Sequence, residues 1–249
     1  MITIGITNQS TVLTDAQVQA AMRCLQAQVT GDFYPIYGTL ANLVWLSKGR
    51  SPVPGQWQLI FADTSDQVGA LGYHETTANG DPIGFVFAKD DINGGTSWTV
   101  TASHELLEML GDPDIQTVEE QDNADGSMTF RAKEVSDVCE DDSQAYQKTQ
   151  SDGTAFRLPD GTPFLFSDFV YPAYWNPNAP ATAKLDFCGH ITKPLQILAG
   201  GYIGILQVPK GATWGQVQAD MTPGGKAIQR FNRRARREIP HHMRQRSAR

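Results

Sequence analysis

The stretch SWTVTASHELLEML, residues 97–110, constrains this chain more than any other. Thr96 or Ser97 can cap it, Gly111 ends it and Pro113 lies just beyond, so the local signals predict a helix over about 96–110. Val100, Leu106, Leu107, Met109 and Leu110 make that helix apolar on more than one face, which predicts a largely buried element. Into this setting it carries His104, Glu105 and Glu108. Buried imidazole and carboxylate groups need partners, and one cation would serve several of them at once.

His104 and Glu108 are four residues apart and therefore share a helix face. Glu105 is offset from His104 by about 100° around the axis. This is the relation between first ligand and general base in an HExxH helix, where a metal acidifies a water and the adjacent carboxylate takes its proton. The pattern here is HELLE, with glutamate in the place of the second histidine. A carboxylate there makes the site harder and more anionic, so manganese, iron or calcium join zinc as candidate divalent cations.

Around this helix the chain alternates strand and helix signals. Residues 2–7 read as a strand, and a helix capped by Thr14 or Asp15 follows, with Val18, Met22, Leu25 and Val29 at helical spacing. Strands are expected at 41–47, 56–63 and 83–89, which together give an α+β fold with a mixed sheet backed by helices. Residues 112–163 read as a long acidic excursion in which SMTFRAKEV is strand-like. FLFSDFVYPAYW then reads as strand-like, and PLQILAGGYIGILQVP as a hairpin turning near Gly200 and Gly201.

The segments TVTASHELLEMLGDPD, KEVSDVCEDD, SDFVYPAYW and GGYIGI, with TDAQVQAAMRCLQAQVTGDF and DQVGALGYHE before them, resemble a family of bacterial and phage proteins of zincin-like, metallopeptidase character. The resemblance runs through most of residues 1–210. It implies a zincin-like α+β fold, a metal site on the 96–110 helix and no particular substrate. In its terms His104 matches the first metal ligand, Glu105 the general base and Glu108 the position of the second histidine.

Two routes lead to a third ligand. Asp114 stands ten residues after His104 with Gly111 at seven, the spacing of the HExxHxxGxxH/D class, and Asp112 is beside it. However, no methionine lies between Met128 and Met221 to form that class's Met-turn. The alternative is KEVSD, where Glu134 and Asp137 resemble the downstream Glu and Asp of gluzincins. Glu134 is the preferred ligand, with Asp137 bracing it or standing in for it.

Other motifs say less. QDNADG (121–126) lacks the flanking acids of a calcium loop and reads as a turn, and CEDDSQ (139–144) as a solvated acidic loop. His74 can reach the site from an edge strand where a peptide would pair, although an ordinary surface histidine is the plainer reading. His190 has less context still. No GxSxG, P-loop or GxGxxG motif is present, so serine nucleophiles and nucleotides have no support.

The three cysteines, Cys24, Cys139 and Cys188, form neither a CxxC nor a disulfide framework. No apolar run approaches the roughly 18 residues of a membrane span, and MITIGITNQS does not read as a signal peptide. A cytoplasmic protein, or a virion-associated one if phage-encoded, is the resulting expectation. Residues 226–249 hold nine Lys or Arg against Glu238, a net of +8, which leaves −15 for the rest of a chain whose total is −7. The expected organisation is a zincin-like domain at 1–212 and a basic tail at 213–249, the tail suited to a polyanion or virion partner. The expected activity is peptide or protein hydrolysis, with a non-enzymatic phage structural or accessory protein as the alternative. An open coordination position beside Glu105 would favour the enzyme, and a closed site the alternative.

Overall fold

The computed structural model describes residues 1–208 and 214–219. They form a mixed α+β structure of two sheets with helices packed on the first. In chain order the elements are β1 (Ile2–Asn8), α1 (Asp15–Gln28), a π-helical turn (Val29–Phe33), α2 (Tyr34–Tyr37), β2 (Ala41–Trp45), β3 (Trp57–Ala62), β4 (Gly72–Thr76) and β5 (Pro82–Phe87). There follow α3 (Ala88–Gly94), α4 (Trp98–Gly111), β6 (Val118–Asp122), β7 (Met128–Ala132), β8 (Tyr202–Val208) and β9 (Gly215–Gln218).

The first sheet has the order β2-β1-β3-β5-β4. Its first four strands are parallel, and β4 runs antiparallel along the edge of β5, with His74 opposite Gly84. The parallel strands are buried around Ile4, Ile6, Leu59, Phe61 and Val86, as strands covered by helices must be. Helix α1 is fixed at its start by a capping box between Thr14 and Gln17. It packs on β1 and β2, while α4 packs on β4 and β5, and the two helices touch.

Every residue of α4 from Trp98 to Leu110 is buried. Its polar side chains are accordingly matched. Ser103 Oγ donates to Gln28 Oε1 at 2.8 Å and accepts the Ser167 amide at 2.9 Å, while Thr101 Oγ1 donates to Asp91 Oδ1 at 2.9 Å. The helix ends where the Asp112 amide bonds Glu108 O, and Asp112 Oδ1 accepts the amides of Gln116 and Thr117, turning the chain into β6.

The second sheet is antiparallel in the order β6-β7-β8-β9. Between β7 and β8 the chain is mostly irregular, yet it supplies Phe164, Phe166, Phe169, Val170 and Tyr174 to the same core as α1 and α4. FLFSDFVYPAYW therefore contributes no strand. It makes isolated bridges through Phe166 and Val170 and ends in a 3-10 turn, Pro172–Trp175. Asp168 turns back on the amides of Phe169 and Cys188, and Pro172 cannot donate to a ladder, which explains the interruption. The expected 194–209 hairpin is likewise a single strand, β8, preceded by irregular chain. β8 pairs instead with β7 and with β9, so the sheet continues beyond the boundary expected at 212. The basic segment 226–249 lies outside the described residues. Among the described residues, no helix is long and apolar enough to cross a membrane.

Candidate metal centre

Helix α4, edge strand β4 and the loop after β7 bring their polar side chains to one place. From α4 come His104, Glu105 and Glu108; from β4, His74; from the loop, Glu134 and Asp137, the latter opening a 3-10 turn, Asp137–Cys139. All six are buried, with exposures of 0–2%. Side chains of this kind leave water only when something compensates them.

His104 Nε2 lies 3.1 Å from Glu108 Oε1 and 3.5 Å from Asp137 Oδ1. For zinc bonds of about 2.0–2.1 Å, tetrahedral ligand atoms are about 3.3–3.4 Å apart, so these separations suit donors to a common ion. Both ring nitrogens of His104, Glu108 Oε1 and Asp137 Oδ1 are fully enclosed and make no hydrogen bond among the described residues. Glu108 is held well above the usual carboxylate range, first by burial, then by the charges of Asp137 and Glu134, a hydrogen bond with Asp137 and the charge of Glu140. A cation among these groups would reverse that pressure.

A second convergence shares Glu108. His74 Nδ1 lies 3.7 Å from Glu108 Oε2 and 3.9 Å from Glu105 Oε2. The other ring nitrogen, Nε2, is 3.2 Å from the carbonyl oxygen of Asp112 and 3.9 Å from Glu134 Oε2. Of the residues singled out from sequence, the fold thus gathers His104, Glu108 and Asp137 around one point, with Glu105 turned toward β4. Glu134 stands on the His74 side. Asp112 is spent on the turn after α4, although its backbone carbonyl meets His74.

The surface reading of His74 does not hold, because the ring is fully buried between β4 and α4. Two further residues carry no signal in sequence. Glu140, in the segment expected to be a solvated loop, is fully buried, and its charge reaches Glu108. Tyr202 opens β8 with its phenol hydrogen-bonded to Asp137, and burial followed by the charges of Asp137, Glu140 and Glu108 raises its pKa well above the usual phenol range. A preceding acidic helix turn and a Gly-Gly-Tyr strand start are not patterns that announce this contact.

Asp168, Cys188 and His190 form a separate cluster nearer the surface. Its carboxylate is already employed, since Asp168 accepts the amides of Phe169 and Cys188 and contacts His190 Nδ1 at 3.2 Å, and the neighbouring Asp186 accepts the amides of His190 and Ile191. These bonds close a loop and leave little for a cation. QDNADG is a turn, closed by the Gly126 amide on Asn123 O.

Comparison of the chain with family models, with curated proteins and with solved structures finds no match.

Proposed function

We propose that this protein binds a divalent cation through His104, Glu108 and Asp137 on a zincin-like scaffold, and that it hydrolyses peptides with Glu105 as general base. The observation that carries the reading is the meeting of an imidazole nitrogen and two carboxylate oxygens from α4 and the Asp137 turn, at 3.1 and 3.5 Å, all fully enclosed. One histidine and two carboxylates suit zinc and also the harder manganese and calcium. Such a cation supplies Lewis acidity, lowering the pKa of a water and polarising a carbonyl.

The remaining roles fall to the chain. Glu105 accepts the proton of the attacking water and delivers it to the departing amine. Strand β4 is the antiparallel edge of the sheet, and such an edge can pair with an extended peptide. Tyr202 holds the Asp137 carboxylate in place through its phenol.

A second reading is favoured by burial. With His104 at 0% exposure and Glu108 and Asp137 at 2%, the centre is closed in the way structural metal sites are, which suits a non-enzymatic structural or accessory protein. A surface hollow of about 510 Å³ lined by Asn123, Thr129, Arg131 and Gln207 lies on the second sheet and includes none of the donors. Metal analysis of the purified chain, with a peptide-library cleavage assay of the native protein and of Glu105→Gln, tests both readings. Bound metal with cleavage that disappears in Glu105→Gln supports the peptidase; bound metal without cleavage supports the structural role; absence of metal in chelator-free preparations overturns both. The basic segment at 226–249 is proposed to engage a polyanion or a virion component, and a cytoplasmic or virion-associated location belongs to the same proposal.

A further inference from the structure

The two convergences on Glu108 share one carboxylate but use different oxygens. Oε1 faces His104, and Oε2 faces His74. Asp137 completes the group around Oε1, and Glu105 the group around Oε2. A carboxylate presenting one oxygen to each of two donor sets is the arrangement that bridges paired metal ions, which stand about 3.5–4 Å apart.

His74 adds an argument of its own. Its Nε2 lies 3.2 Å from the carbonyl oxygen of Asp112, which can only accept, so Nε2 carries the proton in that contact. In the neutral ring Nδ1 then holds a lone pair, directed into the space shared with Glu105 Oε2 and Glu108 Oε2. A lone pair between carboxylate oxygens is what a ligating histidine looks like when its other nitrogen is anchored to a backbone carbonyl. The separations of 3.7 and 3.9 Å are slightly wider than those at His104, as donors to a larger or less tightly bound ion would be.

We infer that the centre holds two divalent cations bridged by Glu108, the first among His104, Glu108 and Asp137, the second among His74, Glu105 and Glu108. Glu134 stands behind His74 Nε2, where its charge supports the ring as a donor. The inference rests on the metal reading above and extends it. It also gives Glu105 a ligand bond, so the base role and this role predict different metal contents for Glu105→Gln.

The test is metal stoichiometry on the full-length chain reconstituted with Zn²⁺ alone and freed of loose ion by gel filtration. Two equivalents are expected in the native protein, one in His74→Ala and in Glu105→Gln, and none retained in Glu108→Ala. Because His74→Ala removes the contact to Asp112, His74→Gln serves as a second variant whose amide can still donate to that carbonyl; it too should fall to one. With Mn²⁺ in place of zinc, the native protein should give the exchange-coupled paramagnetic resonance spectrum of a close pair, and His74→Gln that of an isolated ion. One equivalent in the native protein, or two in His74→Gln, overturns the second cation while leaving the first. No bound ion in the native protein overturns the metal reading itself.

Discussion

Gly72 and Glu105 are in such close contact that a Cβ on the glycine would lie 2.5 Å from Glu105 Oε1. The same atom would lie 2.8 Å from Thr101 Cγ2, a stiff β-branched side chain on the buried helix. A glycine inside a strand is there because another element comes close, and here the close approach sets the distance between β4 and α4. Gly72→Ala should therefore push the strand away from the helix at a cost of about 1–3 kcal/mol. The displacement should loosen His74 more than His104. A denaturant titration together with metal content checks this: reduced stability with unchanged metal content would detach the Gly72 contact from the centre.

Asp137 and Glu134 come from the same KEVSD segment but face different partners, Asp137 toward His104 and Glu134 toward His74. Asp137→Ala should weaken metal binding at least 100-fold, since it removes a donor from the group with the shortest separations. Glu134→Ala should weaken it about tenfold, the scale of losing a group that supports a ligand. Competitive titration with a chromophoric chelator ranks the two variants, and the reverse ranking would restore Glu134 as the ligand.

Helix α4 and its three donors are legible in sequence because the cap, the apolar positions and the four-residue spacing are all local. The rest of the centre depends on contacts across the fold. His74 sits in the short polar segment GYHET, and only the packing of β4 on α4 buries it. Glu140 reads as solvated because DD and Ser follow it, yet it is fully buried directly after the Asp137–Cys139 turn, which packs on β8. The choice between Glu134 and Asp137 could not be made from spacing, since three residues of irregular chain can aim either carboxylate inward. The parallel strands were readable from their continuous apolar runs. β6, with the sequence VEEQD, has one apolar residue and is a strand because β7 pairs with it.

Asp168 offers a pH test away from the centre. Burial, reinforced by the charge of Asp186, raises its pKa from 3.8 to about 7. An acid with a raised folded pKa favours folding while protonated, so this contribution is complete below about pH 4 and disappears as pH rises toward 7. At about 1.4 kcal/mol per pKa unit its size is on the order of 4 kcal/mol. Asp168→Asn keeps an acceptor for the Phe169 and Cys188 amides and should flatten the stability profile between pH 4 and 7. An unchanged profile in thermal melts would place the titration elsewhere.

The basic segment 226–249 carries +8 against −15 for the rest of the chain, so it is the part suited to a polyanion. Full-length protein should bind duplex DNA or RNA at low salt, with affinity falling linearly on a log–log plot against salt concentration. Protein ending at residue 225 should not bind. Binding by the shortened chain, or none by the full one at low salt, would remove that role.

The last prediction concerns metal removal. A ligand that binds only the folded state stabilises it by about 2.7 kcal/mol at a hundredfold excess over Kd. For a domain of 150–250 residues each kcal/mol is worth roughly 2–4 °C, so saturating Zn²⁺ should raise Tm by about 5–11 °C and a chelator should reverse the gain. His104→Ala should cut the response to the share of the His74 site, because His104 supplies the ring nitrogen around which Glu108 and Asp137 gather. The variant also leaves a cavity where a fully buried ring stood, so its metal-free Tm should fall below that of the metal-free native chain. A full zinc response retained by His104→Ala would move the first cation to another set of donors.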